Sequence, residues 1–239
     1  SSAKGSPSDP GHPPSFTLQP NQVLANRYQV IRLIGRGGMG AIYLAHDRVL
    51  NEPVALKTLL PQFAREKTIV ERFYNEARIA RQLSHPNIVR VHDIGMASQI
   101  MYLSMEYVEG KSMRALLEKS RHGLPAAYAI EVLRQLCSGL GYAHRYTIHR
   151  DIKPENIMLA KTGVVKLMDF GISKLRGNPG LTSTSMVMGT PQYMSPEQFR
   201  DSAAVDARAD IYSLGVLLYE MLTGALPAGM AKPVSQLAP

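Results

Sequence analysis

The hydrophobic period of the chain switches at residues 107–110, from alternation before them to helical spacing after them, and this switch limits the possible fold more than any other feature. YQVIRLIGRGGMGAIYLAHD, starting at Tyr28, is alternating and β-branched on either side of a glycine cluster, which predicts strand, glycine-rich turn, strand. PVALKTL predicts a third strand, and IVRVHDIGMASQIMYLSMEYV two more joined by a polar turn. Between them REKTIVERFYNEARIARQL carries Ile69, Phe73, Ala77 and Ala80 at helical spacing, and His85-Pro86-Asn87 ends that helix region. After Gly110, SMRALLEK and AAYAIEVLRQLCSGLGYAH read as amphipathic helices, and ADIYSLGVLLYEMLTG as a helix buried on most sides. NIMLAKTGVVKLMDF predicts a hairpin turning at Lys161-Thr162-Gly163. The expected fold class is α+β with two lobes. A five-stranded antiparallel N-terminal lobe with one helix (27–106) meets a mostly helical C-terminal lobe (111–239) across a hinge at 107–110. A cleft between lobes is a usual place for a ligand.

Residues 1–26 begin with a Ser-, Pro- and Gly-rich stretch that buries too little surface to offset its ordering entropy, so a flexible leader is expected there. No run approaches eighteen uninterrupted apolar residues, and the N-terminus lacks the pattern of a signal peptide. The net charge of +8 raises nucleic-acid or membrane binding, but the basic residues are scattered and no dense run is interleaved with aromatics. Neither partner is expected within this chain. Cys137, the only cysteine, cannot form an internal disulfide, so a reducing, cytoplasmic setting fits best. It is expected as a small core residue on a helix.

Three sequence motifs carry chemistry. Gly35, Gly37 and Gly40 form GxGxxG, with Gly38 inside it and Ile42 following. Without a Cβ such residues let backbone N–H groups approach phosphate oxygens. The glycines lie between two strands rather than opening a helix, which counts against a dinucleotide-binding unit and a Walker-type loop. Lys57 closes the apolar strand VALK and needs an anionic partner if it faces a cleft; Glu76 on the following helix is the natural candidate, with a surface helix charge as its rival reading. The third motif is I-H-R-D-I-K-P-E-N at 148–156, followed by M-D-F-G at 168–171.

With this third motif the sequence resembles the protein kinase superfamily, and every element stands in that family's order: glycine loop, VALK, helix glutamate, HRDIKPEN, DFG and G-T-P-Q-Y-M-S-P-E at 189–197. IGRGGMG, HPNIVRVHD and GTPQYMSPEQ resemble the bacterial, eukaryotic-like receptor type of Ser/Thr kinase. The resemblance implies ATP and Mg²⁺ (or Mn²⁺) as cofactors and Ser/Thr-bearing proteins as substrates. It implies that Lys57 holds the α- and β-phosphates and pairs with Glu76. Asp151 would accept or orient the substrate hydroxyl proton, Lys153 would steady the γ-phosphate, and Asn156 and Asp169 would ligate the metal. Ile42, Ala55 and Met158 would enclose the adenine, the backbone of Glu106–Val108 would hydrogen-bond it, and Met105 would limit access behind it. Thr190 would touch Asp151 and Lys153.

Thr182 and Thr184 resemble sites that this bacterial group autophosphorylates, with Arg150, Lys174 and Arg72 gathering on the phosphate. The rival reading is a polar loop whose hydroxyls carry no signal. Two features depart from the family. The connection from His144 to His149 is one residue short, and beyond Thr223 the run ALPAGMAKPVSQLAP resembles a helical lobe that is truncated or reduced. Glu197 would then lack its usual partner, and apolar surface left on the Asp210–Leu222 helix would favour a homodimer. A pseudokinase or scaffold, and a small-molecule kinase of the same fold, are the alternatives. Intact metal and phosphate positions disfavour the first, and the GTPQYMSPE run disfavours the second.

Overall fold

Two antiparallel sheets and a set of helices surround three clusters of buried apolar side chains in a computed structural model of the chain. The structure describes residues 17–37, 40–170, 191–200, 205–227 and 233–236, the side chains of Arg72 and Glu76 excepted. The larger sheet holds β1 (Val23–Leu24), β2 (Tyr28–Gly37), β3 (Gly40–Asp47), β4 (Glu52–Leu59), β5 (Val91–Ala97) and β6 (Ile100–Glu106) in the order β1-β2-β3-β4-β6-β5. The strands read from alternation are all present. The sixth, β1, comes from residues assigned above to a flexible leader. Residues 17–26 are packed there because Leu18 and Leu24 are buried, the Leu18 N–H donates to the Tyr43 hydroxyl (3.1 Å), and Val23 and Leu24 pair with Gln29 and Tyr28. Composition hid two apolar anchors in a polar stretch.

At the base of this sheet Arg27 grips Asp47, which is 1% exposed, through Nε (2.9 Å) and Nη2 (2.6 Å). The N–H groups of Val49 and Leu50 add two more donors at 2.9 and 3.2 Å. The Arg27 hydrogen bond outweighs burial and holds the Asp47 carboxyl below its ordinary 3.8. Its stabilisation is therefore complete above that value and disappears as pH falls through the lower folded one. We expect Asp47→Asn to destabilise the fold by about 2–3 kcal/mol at pH 7, somewhat less than a fully buried pair because water reaches Arg27. Urea unfolding of both proteins should show that gap closing below pH 3.8.

Helices α1 (Pro61–Ala64) and α2 (Lys67–Gln82) follow β4. Helix α2 buries Ile69, Phe73 and Ala77 against Leu103 and Met105 of β6, the face its spacing predicted; the one-turn α1 had no periodic signal. Past residues 107–109, the strands β7 (Gly110–Ser112), β8 (Ile157–Ala160) and β9 (Val165–Leu167) form the second sheet, with the β8–β9 turn where expected. The helices α3 (Met113–Leu117), α4 (Ala126–Ala143), α5 (Pro196–Arg200) and α6 (Ala207–Thr223) complete the described helical lobe.

Helix α4 buries Ala129, Val132, Leu136, Gly139, Leu140 and Ala143. Cys137 falls about 100° round the helix from Leu136 and is exposed, which corrects its expected core placement. Helix α6 starts on the Asp206 side chain, which accepts from the Arg208 N–H at 2.9 Å, and stops at Gly224 with φ 70°. It is buried along most of its length, but Ile211 (62%) and Tyr212 (44%) stand exposed, as expected for part of that surface. Among the described residues no helix is long and apolar enough to cross a membrane.

Candidate active site

Among the described residues, those singled out in the sequence lie on β2 to β4, on the 106–108 connection and on the segment from His149 to Asp169. Gly35 lies opposite Ile42, and Gly37 opposite Gly40, in the β2–β3 ladder. Gly40 is required by packing, since a Cβ there would lie 1.8 Å from the Thr58 carbonyl oxygen. At Gly35 and Gly37 a Cβ would meet nothing closer than 3.8 Å. Packing alone does not ask for glycine at those two positions. Gly38 lies outside the described residues.

Strand β4 passes next to this turn. Its register places Ala55 opposite Met105 and Lys57 opposite Leu103, so both enter the space under the sheet. Ala55, Met105 and Val108 are buried in one cluster, with Ile42 of β3 and Met158 of β8 packed on it. These residues come from both lobes and make an apolar slot. Glu106 closes the slot at the hinge: its carboxylate accepts from Lys166 Nζ (2.6 Å) and from the Arg90 N–H (3.2 Å). Behind Met105 a small cavity is lined by Phe73, Ala77, Leu103 and Phe170.

The loop from His149 to Asn156 is held from below by Asp210, which is fully buried on α6. Its carboxylate accepts from the His149 N–H (2.9 Å), the Arg150 N–H (2.7 Å) and His144 Nε2 (2.8 Å). Arg150 (φ 66°) and Asp169 (φ 62°) both take the left-handed conformation, at about 1 kcal/mol or more each. Such strain persists only where neighbouring contacts impose it, and the Asp210 bonds do so at Arg150. His149, also fully buried, accepts the Asp151 N–H on Nδ1 (3.2 Å) and so carries its proton on Nε2, which donates to the Met168 carbonyl (2.7 Å). Its ring meets Phe170 edge-on at 4.6 Å.

This scaffold presents the charged groups. The Asp151 carboxylate accepts from Lys153 Nζ (2.9 Å) and from Asn156 Nδ2 (3.0 Å), while the same Nδ2 holds the Asp151 carbonyl at 2.7 Å. Because both Asn156 bonds use its nitrogen, its side-chain oxygen is left to accept or ligate. The Asn156 carbonyl takes the Met168 N–H at 2.9 Å, tying this loop to the residue before Asp169. Lys57 Nζ lies 2.7 Å from Asp169 Oδ1. Burial raises the Asp169 carboxyl, but Lys57 beside it, with His149 and Lys153, more than reverses this and holds it below the ordinary value. Asp169 thus stays ionised beside Lys57.

Lys57 was expected on Glu76. The structure pairs it with Asp169, and the Glu76 side chain lies outside the described ones. Thr182, Thr184, Thr190 and Lys174 lie outside the described residues, as does the Arg72 side chain. Sequence reasoning missed Asp210 as part of the site. The signal was available: Asp210 and Glu220 sit in an otherwise apolar helix, where a buried carboxylate requires dedicated partners.

A strand-rich lobe over a helical one, with a glycine turn and this set of charges between them, defines the architecture of a phosphotransferase. A family described as "Protein kinase domain" matches residues 28–236. The serine/threonine-protein kinase PknB of Mycobacterium tuberculosis is 43% identical over 219 residues, which cover 89% of this chain and 35% of that protein. PrkC of Bacillus subtilis, also a serine/threonine-protein kinase, is 40% identical over 205 residues, 85% of this chain and 31% of that protein. The crystal structure of the M. tuberculosis PknI kinase domain superposes with a TM-score of 0.73 at 30% identity, covering 93% of this chain and 85% of that one. The chain belongs to the protein kinase domain family, in its bacterial, eukaryotic-like Ser/Thr branch. It spans about a third of the length of the curated relatives it matches.

Proposed function

We propose that this domain transfers the γ-phosphoryl group of ATP to serine and threonine hydroxyls of proteins. The observation that carries the proposal is the Asp151 carboxylate held between Lys153 and Asn156, across the cleft from the Lys57–Asp169 pair. A hydroxyl within reach of Asp151 passes its proton to that carboxylate as its oxygen bonds to the γ-phosphorus. The bond from that phosphorus to the bridging oxygen breaks, and ADP leaves. Lys153 steadies the charge on the moving phosphoryl oxygens, and Lys57 takes the α- and β-phosphates. Gly35, Gly37 and Gly38 are the proposed backbone contacts to the phosphates, while Ile42, Ala55 and Met158 enclose the adenine against the hinge backbone from Glu106 to Val108.

Asp169 and the free oxygen of Asn156 fit a hard divalent cation, Mg²⁺ or Mn²⁺. Among the described residues no group of three or more His, Cys, Asp or Glu side chains could hold a metal, so phosphate and water would complete the shell. When bound, the ion neutralises phosphate charge. The Ser/Thr preference rests on the 40–43% identity to relatives named for that activity and on the GTPQYMSPE run. Thr182 and Thr184 are the proposed sites of autophosphorylation, with Glu76 as the helix partner of Lys57 once nucleotide draws that lysine from Asp169. Incubation with γ-labelled ATP and a mixed protein substrate, followed by phosphoamino-acid analysis, tests the class of acceptor. Label on phosphoserine and phosphothreonine that requires a divalent cation is expected. Label on phosphotyrosine would contradict the Ser/Thr assignment, and no label with nucleotide still bound would favour a scaffold.

A further inference from the structure

A partly buried ionic network lies beside the loop that carries Asp151. Arg114 of α3 donates from Nε to Glu155 Oε1 (2.9 Å), from Nη1 to Glu220 Oε1 (2.7 Å) and from Nη2 to the Tyr193 hydroxyl (2.8 Å). The Tyr193 hydroxyl in turn donates to Glu220 Oε2. Each of the four side chains comes from a different segment: α3, the 3-10 turn Pro154–Asn156, the 3-10 turn Pro191–Tyr193, and α6. Glu220 and Tyr193 are buried at 5% and 3% exposure, so water cannot take over either role.

Three features separate this network from ordinary packing. First, a buried ion pair adds little stability over apolar side chains of the same size, so stability alone does not call for charge here. A planar guanidinium with several fixed donors supplies what apolar contact cannot, a defined angle between the segments it joins. Second, the joined segments are the ones the reaction uses. Glu155 immediately precedes Asn156, whose N–H bonds to the Lys153 carbonyl at 3.0 Å and whose side chain holds Asp151. Tyr193 lies in the turn just past Thr190 and is fixed a second time, its carbonyl accepting from Ser213 Oγ at 2.7 Å. Third, α3 is anchored at the nucleotide side. Ser112 caps it, accepting from the Ala115 N–H at 3.2 Å, and pairs in β7 with Met158, a wall of the apolar slot. Burial lowers the Arg114 pKa, but Glu220 and Glu155 more than reverse this; burial and Glu220 raise that of Tyr193. The guanidinium stays charged and the phenol stays a donor across the working pH range.

We propose that Arg114 is a positioning residue for phosphoryl transfer: from the hinge-side helix α3 it fixes the Asn156 turn and the Tyr193 turn in one register. The consequence for rate rests on the kinase reading above. The consequence for structure does not. Arg114 bonds Glu155, Glu220 and Tyr193 rather than any residue assigned to the nucleotide, so its loss should appear in kcat more than in the KM for ATP.

The test uses two variants of the chain. Arg114→Met/Glu155→Gln/Glu220→Gln removes the cation together with both carboxylates it bonds, so no partner of the guanidinium keeps an uncompensated charge; Arg114→Lys keeps the charge and loses the fork, and serves if the first does not fold. The variant should melt close to the parent, while the Asn156 amide exchanges about tenfold faster with solvent. Its kcat should fall about tenfold or more, with the KM for ATP within about twofold, since small misplacements of reacting groups are expensive. Unchanged Asn156 protection would overturn the proposal whatever the activity. So would unchanged kcat in a variant with lost protection. A parent protein with no Asp151-dependent transfer would refute the kinase reading alone, and the exchange measurement would still decide whether Arg114 holds the turn.

Discussion

Replacing Asp151 by asparagine lowers the rate of phosphoryl transfer by about 10²–10⁴-fold, the usual worth of a positioned general base. The substitution keeps size and planarity, so the Asn156 bond to the residue 151 carbonyl survives, and Lys153 Nζ still has an oxygen within reach of its 2.9 Å contact. What disappears is the negative charge that holds Lys153 in place and, on the proposed mechanism, the proton acceptor. Nucleotide affinity should change little, because Asp151 is not among the residues of the apolar slot formed by Ala55, Met105 and Val108. Steady-state kinetics with titrated ATP separates the two quantities. A variant with near-parental turnover would remove Asp151 from its role.

Lys57→Met should lower transfer by about 10²–10³-fold, the scale measured when one preorganised electrostatic donor is removed from an active site. Here the KM for ATP should rise as well, which distinguishes it from Asp151→Asn. The methionine fills a similar volume opposite Leu103 and Ile42. It leaves Asp169 without the cation 2.7 Å away, so burial pushes that carboxyl up with less opposition. Nucleotide binding by titration calorimetry, with and without Mg²⁺, checks this directly. Equal affinity in parent and variant would contradict a phosphate-binding Lys57.

Much of the site was legible because its chemistry depends on residues at fixed spacing. The alternation around the glycines gave two of the strands, and the motif run from His149 to Asn156 placed Asp151, Lys153 and Asn156 within one loop. The helical stripe on α2 and the turn at Lys161–Gly163 were equally local signals. What escaped was long-range. Asp210 meets the His149 and Arg150 N–H groups across about sixty residues, and Arg114 reaches Glu220 across 106. No periodicity records which buried charge finds which partner. The pairing of Lys57 with Asp169, 112 residues away, was hidden by a nearer candidate, Glu76. Strand β1 was missed for the opposite reason. Two anchors, Leu18 and Leu24, order a stretch whose composition argues for disorder.

If the groups around Asp151 perform phosphoryl transfer, intact mass reports it. The purified chain and its Asp151→Asn variant are incubated with Mg²⁺ and ATP, and their intact masses are compared before and after. The account predicts increments of one phosphate on the parent alone, mapping to Thr182 or Thr184. Equal masses for both proteins, with nucleotide bound to each, would contradict it and leave a nucleotide-binding scaffold in its place.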